Sequence, residues 1–205
     1  MRTGKDEELD SWTDHRLMLR VKEGQVAMLG VLFERHHRAL FNFFLRLTAS
    51  RDISEDLVQE VFVRILKYRR NYEADGHYAA WMYQVARRVH LDYRRRTRHE
   101  RKQEGIEETE TGDQLAINTP SPDQAFLERE QTQLIRQALA ELPAEKRELL
   151  ILVRYQGLKY QEIAEILDCE IGTVKARVFR ALRELADVFQ GLAKVRVPRA
   201  RLRNR

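Results

Sequence analysis

The sequence predicts an all-α protein in which two small helical domains are joined by a flexible acidic linker, and in which the second domain contains a helix-turn-helix. In the chain of 205 residues, almost every apolar pattern recurs at the three- and four-residue spacing of a helix, and only four prolines interrupt it. Charge is distributed in blocks, with eight basic residues within 87–102 and six acidic residues but no basic one within 104–123. The acidic block also holds two glycines and two prolines and has no apolar period, which is typical of a linker.

These observations divide the chain into five parts. They are a disordered N-terminal extension over 1–12, a first helical domain over 13–99, the acidic linker over 100–123, the helix-turn-helix domain over 124–190 and a basic tail over 191–205. The tail is interpreted either as a disordered end or as an extra contact for phosphate or an inhibitor, and the sequence favours neither.

The first domain is predicted to hold four helices, which start near residues 13, 25, 52 and 78. Asp52 is expected to cap the third helix, with Glu55 as its partner in a capping-box-like pair. The third helix turns an apolar stripe inward, so its opposite face displays Asp56, Gln59, Glu60, Val63 and Lys67. The fourth helix buries its apolar residues and turns its arginines outward.

Aromatic residues accompany the basic block of the fourth helix. They are Tyr72, Tyr78, Trp81 and Tyr83. Trp81 has the helical phase of the core, whereas Tyr72 and His77 lie in a loop without periodicity and are expected to stay out of the core. Arginines bind phosphates and exposed rings stack on unpaired bases, so this combination suits DNA whose strands are being separated.

Four helices are also predicted in the second domain, over about 123–142, 144–155, 160–167 and 171–189. The last two are joined by only three residues and have the dimensions of a helix-turn-helix. The apolar residues expected to hold these two helices together are Ile163, Ala164, Leu167, Ile171, Val174 and Val178. The outward residues at the start of the last helix are then Thr173, Lys175, Ala176, Arg177 and Arg180. Lysine and arginine there can donate to base edges or phosphates in the major groove; an ordinary solvated basic helix is the alternative.

The amino-acid composition limits the classes of function that this protein can have. A formal charge of +5 and a pI near 9.4 favour a polyanionic partner, and nucleic acid is the leading candidate. The single cysteine, Cys169, forms neither an internal disulfide nor a Cys-rich zinc site. The longest apolar runs are about five residues, far below the roughly 20 needed to span a membrane, and the charged N-terminus is unlike a signal peptide. We therefore expect a cytoplasmic protein.

Catalysis, cofactors and metals find little support in the sequence. The six histidines are scattered, and there is no HExxH motif, phosphate-binding loop or activated nucleophile. Asp56 and Glu60 stand at i and i+4, but they lack a third metal ligand, and a partner-binding helix face explains them better. We expect no enzymatic activity, no cofactor and no metal.

Three blocks of the sequence, in this order, carry a family resemblance. They are DISEDLVQEVFVRIL at 52–66, AWMYQVARRVHLDYRR at 80–95, and a third block made of 142–148 with 160–181. They resemble the polymerase-binding helix, the promoter-melting and −10-reading helix, and the −35-reading domain of bacterial RNA polymerase sigma factors of the extracytoplasmic-function (ECF) group, in the sigma-70 superfamily. The resemblance runs from about residue 13 to residue 189, with the linker in the family's place.

The resemblance implies a protein that binds core RNA polymerase, at its clamp coiled coil and its flap, and promoter DNA at two elements. The implied core-polymerase-binding residues are Asp56, Gln59, Glu60 and Val63. The implied −10 DNA-binding residues are Asn71, Tyr72, His77, Arg87, Arg88, Arg94 and Arg95, where the loop 71–77 receives a flipped base. The implied −35 DNA-binding residues are Thr173, Lys175, Ala176, Arg177 and Arg180. An anti-sigma factor that covers the DNA-binding domains is a further expected partner.

Three positions depart from the pattern usual in the family. Arg88 stands where Asn is common, which bears on the −10 contacts. Lys159 stands where a Ser or Thr cap usually begins the first helix of the helix-turn-helix, and Glu170 replaces a frequent Pro or Ser. The last two departures bear on helix capping.

Two other functions compete with this interpretation. A stand-alone helix-turn-helix regulator that binds a palindrome as a dimer would sense a ligand in its first domain, which has no evident pocket motif. A small nuclease would need clustered carboxylates for its metal ions, whereas the acidic residues here lie in the linker or singly on helix faces.

Overall fold

A computed structural model describes residues 11–73, 77–103 and 126–196 of the chain. Within these ranges it contains eight α-helices, a short 3-10 turn over Arg69–Asn71 and no strand, which confirms the predicted all-α class. The helices are α1 (Asp14–Lys22), α2 (Met28–Thr48), α3 (Arg51–Tyr68), α4 (Tyr78–Gln103), α5 (Phe126–Glu141), α6 (Ala144–Arg154), α7 (Tyr160–Leu167) and α8 (Ile171–Arg196). Residues 1–10 of the predicted extension, residues 104–123 of the predicted linker and the tail beyond residue 196 lie outside the described residues. The prediction that the linker starts at residue 100 is wrong, because α4 continues to Gln103. None of the helices in the described ranges is long and apolar enough to cross a membrane.

The four helices of the first domain pack around one apolar core. Its fully buried side chains include Leu17, Leu32, Phe43, Phe44, Ile65 and Met82. Helix α2 packs along α3, and α3 packs along α4, while α1 lies against α2. The outward face of α3 and the arginines of α4 are therefore carried on elements that the core holds in place.

The start of α3 differs from the prediction. Ser50, in extended conformation, caps the helix, and its hydroxyl accepts a hydrogen bond from the amide of Ile53. Asp52 lies inside the first turn, so the prediction that it caps α3 is wrong. Glu55 pairs with Arg51 at 3.1 Å instead of completing a capping box. The short Ser50 hydroxyl reaches the free amide directly, which leaves both acidic residues to the helix surface.

In the second domain, α5 and α6 pack against α8, and α7 with α8 forms the helix-turn-helix. Asp168 reverses the chain between α7 and α8 in a left-handed conformation, with φ of 50°. Its amide donates to the carbonyl of Glu165 at 3.3 Å, and the amide of Cys169 donates to the carbonyl of Ala164 at 3.0 Å. The predicted tight turn is confirmed.

Two details of α8 were not expected. The helix continues to Arg196, beyond its predicted end near residue 189, because Leu185 and Val188 extend the apolar stripe that packs against Leu139. The prediction that Ile171 helps to hold α7 and α8 together is wrong, since 40% of it is exposed. It occupies the first position of α8, ahead of the buried side chains at which the two helices meet.

The two domains lie in contact. Helix α7 packs along α4 and α6 packs against α2, and the buried apolar cluster continues from one domain into the other. The surface proposed for −10 DNA thus borders the helix-turn-helix domain.

Candidate nucleic-acid interface

The start of α8 displays the predicted DNA-facing residues. Val174 and Val178 are buried, with 0% and 4% of their surface exposed, so the other side of the helix faces solvent. The residues of that side are Lys175, Ala176, Arg177 and Arg180, which are exposed, and Thr173, which is half-buried. The predicted orientation of the helix is confirmed, and its N-terminal half exposes the cationic side chains of Lys175, Arg177 and Arg180.

Phe179 belongs to this face and was not singled out from the sequence. It is 65% exposed, the most of any large apolar side chain in the described part of the chain. Its position four residues after Lys175 places it on the same side of the helix. That spacing from Lys175 was the signal available in the sequence.

The departure at Lys159 is explained by the start of α7. The carboxylate of Glu162 accepts a hydrogen bond from the backbone amide of Lys159 at 2.7 Å. The first turn of α7 is therefore stabilised by Glu162 without a hydroxyl side chain at position 159.

The arginines of α4 fall into two groups. Arg88, Arg94 and Arg95 are exposed, as predicted, whereas the Arg87 side chain is 31% exposed and lies beside Glu148 of α6. The His90 ring, between Arg88 and Arg94 in the sequence, is buried. This burial, together with the positive charges of Arg94 and Arg147, lowers the pKa of His90 to about 4. His90 is therefore neutral at pH 7 and adds no charge to this surface.

Tyr72 lies in the core, and the expectation that it stays out of the core is wrong. None of its surface is exposed, and its ring packs edge-on against Trp81, with the ring centroids 5.1 Å apart. The Tyr72 hydroxyl is hydrogen-bonded to Nδ1 of His15 at 2.8 Å, and Lys22 donates to its backbone carbonyl at 2.5 Å. Helix α1 thus holds this part of the loop, and the ring is placed where it cannot stack on a base without leaving the core.

Asn71 and His77, at the two ends of the same loop, are exposed as expected. Residues 74–76, between them, lie outside the described residues. The structure brings His77 close to Glu165 of α7, with Nδ1 and Oε1 3.5 Å apart. The exposed candidates for base contact are therefore Asn71 and His77. Tyr72 anchors the loop between them in the core.

The outward face of α3 carries the residues predicted to bind the polymerase. Asp56, Gln59 and Val63 are exposed, and 58% of the surface of Val63 is accessible to solvent. Glu60 is half-buried and accepts a hydrogen bond from Arg64 at 2.7 Å. The face therefore combines free acidic and polar groups with one exposed apolar side chain, a composition suited to a protein partner.

Arg64 was missed by the sequence analysis. Besides Glu60, its guanidinium pairs with Asp92 of α4 at 2.6 Å, and these carboxylates raise the pKa of Arg64 against the effect of burial. It therefore ties the polymerase-facing helix to the arginine helix. The i, i+4 spacing to Glu60 was visible in the sequence, but the contact with Asp92 bridges 28 residues and was not.

No group of three or more potential metal ligands occurs in the part of the chain that the structure describes. Asp56 and Glu60 thus have no third ligand there, and Glu60 is already engaged with Arg64.

Two family models match the chain. Sigma-70 region 2 matches residues 32–100, and Sigma-70, region 4 matches residues 132–185. The first match spans α2 to α4, and the second spans most of α5 and continues through α6 and α7 into α8. Both candidate surfaces lie inside matched segments, in the order that the sequence blocks indicate.

Whole-length relatives agree with these matches. The chain is 28% identical to the ECF RNA polymerase sigma-E factor of Escherichia coli (strain K12) over 187 residues, which are 89% of this chain and 97% of that protein. It is 27% identical to the RNA polymerase sigma-H factor of Pseudomonas aeruginosa over 186 residues, 88% of this chain and 96% of the relative.

Two solved structures are similar to the fold. One is the sigma factor RpoE of Bartonella quintana in complex with the anti-sigma factor NepR, with a TM-score of 0.63, 27% identity, and coverage of 78% of this chain and 96% of that one. The other is CnrH in complex with the cytosolic domain of CnrY, with a TM-score of 0.64, 18% identity, and coverage of 87% and 97%. The second supports the fold alone.

Proposed function

The chain belongs to the sigma-70 family of bacterial RNA polymerase sigma factors, in the ECF group, and from this premise we propose that it acts as an alternative sigma factor. It binds core RNA polymerase and directs promoter recognition, DNA melting and transcription initiation. The observation that carries the proposal is the order of the two matched regions, of which region 4 presents the free donors of Lys175 and Arg177 on α8. Proteins of this family regulate transcription and are not enzymes, and because polymerase and promoters lie in the bacterial cytoplasm, so does the proposed activity.

Run-off transcription tests the proposal directly. Core polymerase is incubated with genomic fragments in the presence and absence of the purified chain, and transcripts are mapped. We expect discrete start sites that core polymerase alone does not use. Identical transcript patterns with and without the chain would contradict the proposal.

We assign polymerase binding to the first domain, over 13–99, and specifically to the face of α3 that carries Asp56, Gln59, Glu60 and Val63. The exposed carboxylate of Asp56 and the exposed side chain of Val63 support this assignment, because a partner helix can bury Val63 while its basic residues pair with Asp56. Arg64 holds the Glu60 side chain of this face in position through their hydrogen bond.

We assign −35 recognition to the second domain, over 124–190, through Thr173, Lys175, Ala176, Arg177 and Arg180. Lys175→Ala and Arg177→Ala are each expected to weaken promoter use by roughly 1–3 kcal/mol where the side chain pairs with a base, and by less where it meets only phosphate. A base-reading residue, once removed, also relaxes the preference at one promoter position.

Arg183→Ala is the matched control for these two variants, because Arg183 is an exposed arginine on the same helix but lies about two turns beyond Lys175 and Arg177, past the last predicted residue, Arg180. Promoter selection from a randomised −35 library measures the effect. A uniform loss across all sequences would reduce Lys175 and Arg177 to backbone anchors.

We assign −10 recognition to Asn71 and His77 in the loop and to Arg87, Arg88, Arg94 and Arg95 on α4, with Tyr72 as support. The double variant Asn71→Ala, His77→Ala is expected to spare polymerase binding but to slow formation of the open complex, because the loop binds a base only after the strands part. A template mismatched across the −10 region should restore part of the activity, since the unpairing energy is then supplied in advance.

Arg94→Ala with Arg95→Ala serves as the contrast to the loop variant, because it removes phosphate contacts and should lower affinity on both templates with a smaller salt dependence. Permanganate footprinting of unpaired thymines reports the opening. Equal opening of the matched template by the loop variant and the wild-type protein would remove the loop from the mechanism.

Control by an anti-sigma factor is part of the proposal. It is supported by the similarity to the Bartonella quintana sigma factor, which was solved in complex with the anti-sigma factor NepR. Co-purification from the native host, followed by inhibition of run-off transcription by the captured protein, tests this part.

A further inference from the structure

Each exposed end of the loop 71–77 is followed in the sequence by a buried tyrosine. Asn71 precedes Tyr72, and His77 precedes Tyr78, the first residue of α4. The two tyrosines are 0% and 4% exposed, and their rings lie edge to face with the centroids 6.3 Å apart. Because sequence neighbours share a rigid peptide unit, the positions of these two rings fix the backbone that carries Asn71 and His77.

Helix α1 contacts the first of these tyrosines directly. Nδ1 of His15 is hydrogen-bonded to the Tyr72 hydroxyl at 2.8 Å, and the centroids of the two rings lie 5.6 Å apart. Lys22, about two turns further along the helix, donates from Nζ to the Tyr72 backbone carbonyl at 2.5 Å. The helix also packs against the 3-10 turn that ends at Asn71. Helix α1 therefore holds Tyr72 both by its ring and by its backbone.

The second tyrosine is connected to α1 through α2. The Tyr78 ring lies against the ring of His36 on α2, with the centroids 5.2 Å apart. Nε2 of His36 lies 2.7 Å from one carboxylate oxygen of Asp14, in the first turn of α1. The other oxygen of this carboxylate accepts a hydrogen bond from Arg35 of α2, also at 2.7 Å. Both ends of the loop thus depend on the position of α1.

The ionisation of these groups agrees with the contacts. Burial raises the pKa of Tyr72 and of Tyr78, and the charge of Asp14 acts in the same direction. Burial by itself would raise the pKa of Asp14, but its hydrogen bonds and charge interactions with His36 and Arg35 lower it below the usual value. Tyr72 therefore keeps its hydroxyl proton at pH 7, and Asp14 keeps the charge that attracts Arg35.

From this geometry we infer that α1 is a positioning helix for −10 recognition: through the two buried tyrosines it sets the places of Asn71 and His77. Its positioning residues are His15, Lys22 and Asp14. The inference rests on the proposed function, because it is that function which makes Asn71 and His77 base-binding residues. Loop ends that are held in place before the base arrives lose less conformational entropy when they bind it.

The rate of open-complex formation by the full chain with core polymerase tests the inference, after circular dichroism has shown that each variant is folded. Tyr72→Phe and His15→Ala remove the same hydrogen bond, so each should slow opening about fivefold and leave the affinity for polymerase unchanged. Because the bond is shared, the double variant should be no slower than the slower single variant. A wild-type rate in Tyr72→Phe, or two losses that multiply in the double variant, would overturn the inference.

The contact of Lys22 has a matched charge control. Lys22→Met and Arg16→Met each remove one positive charge from α1, but the Arg16 guanidinium lies over the ring of Trp12, 3.8 Å from its centroid. Only Lys22→Met should slow opening, and Lys22→Arg, which keeps a donor, should recover most of the rate. Equal slowing by Lys22→Met and Arg16→Met would contradict a specific contact with the loop.

Two further variants distinguish positioning from a general loss of stability. His37→Ala removes a half-buried histidine ring that stacks on Phe33 of its own helix, with the centroids 5.0 Å apart, and should leave the opening rate unchanged. The variant Asn71→Ala, His77→Ala lacks the side chains that are positioned, so adding His15→Ala to it should cause no further slowing. A further loss of about fivefold in that background would show that His15 acts on stability alone.

Hydrogen–deuterium exchange of the free full chain measures the anchoring without polymerase. The amide of Tyr72 donates to a carbonyl of the 3-10 turn at 3.3 Å and reports on the first end of the loop. The amide of Trp81 donates to the carbonyl of His77 at 3.1 Å and reports on the second end. Lys22→Met should raise the exchange rate of the first amide, and Asp14→Asn that of the second, each by about fivefold.

The exchange and transcription results separate the inference from the proposed function. Unchanged exchange of both amides in the folded variants overturns the inference even when the chain starts transcription. A wild-type chain that starts no transcript in the run-off assay contradicts the proposed function, and the exchange rates then decide whether α1 positions the loop.

Discussion

Replacing Asp56 with arginine is expected to abolish the binding of core RNA polymerase while leaving the fold intact. Asp56 is exposed on α3, and the apolar stripe of the helix on its other side is untouched by the change. Reversing the charge at a complementary interface removes an attraction and adds a repulsion, which together weaken binding by about two orders of magnitude or more. Native gel shift or size-exclusion chromatography of the holoenzyme measures the loss.

Glu34→Arg is the matched control, because Glu34 is an exposed carboxylate on α2 outside the assigned face. Asp56 is a sharper test than Glu60, since Glu60→Arg would also break the ion pair with Arg64 and so disturb the contact between α3 and α4. Recovery of the Asp56→Arg chain with core polymerase at wild-type affinity would show that the assigned face is wrong.

The second large effect is expected at Tyr72. Tyr72→Ala should lower the free energy of unfolding by about 3–5 kcal/mol, because it removes a fully buried ring and leaves a cavity beside Trp81. Tyr72→Phe keeps the ring and loses only the hydrogen bond to His15, so about 1 kcal/mol is expected. Chemical denaturation followed by circular dichroism gives both values.

The difference between the two variants separates a core role from a base-stacking role. If Tyr72 served only to stack on a base, Tyr72→Ala would leave the free energy of unfolding unchanged and would slow only the formation of the open complex. If Tyr72→Ala is as stable as the wild-type protein but opens promoters slowly, the buried position seen in the structure is not the one that functions. The loss of stability expected here would instead assign recognition to the exposed ends of the loop, Asn71 and His77.

Most of the fold could be predicted, because it is recorded in short-range periodicity. The apolar stripes of α3 and α8 repeat within each helix, so the outward positions of Asp56 and Lys175 follow from the same pattern that buries Val61 and Val174. The turn between α7 and α8 likewise follows from the breaks in that pattern. The positions of the helix ends were predicted less accurately. At the start of α3, for example, Ser50 and Asp52 are both good capping residues, and the local sequence does not distinguish between them.

Residues outside a periodic pattern could not be placed in the same way. Tyr72 stands in an irregular loop, and whether its ring enters the core depends on His15, Lys22 and Trp81, none of which is its sequence neighbour. The sequence marked an aromatic residue next to an arginine helix, which is equally compatible with stacking on DNA. Only the position of α1, which reaches the loop from across the domain, decided that the ring is buried.

The sequence by itself determined the helical class, the division into two helical domains with an acidic segment between them, the exposed face of α8 and the family. All of these depend on residue type and spacing within a few turns of chain. The tertiary structure alone decided that Arg87 meets Glu148 and that Arg64 joins α3 to α4. The physical reason is that such pairs depend on how whole helices pack, and a charged side chain carries the same local signature whether it faces water, DNA or a carboxylate from the other domain.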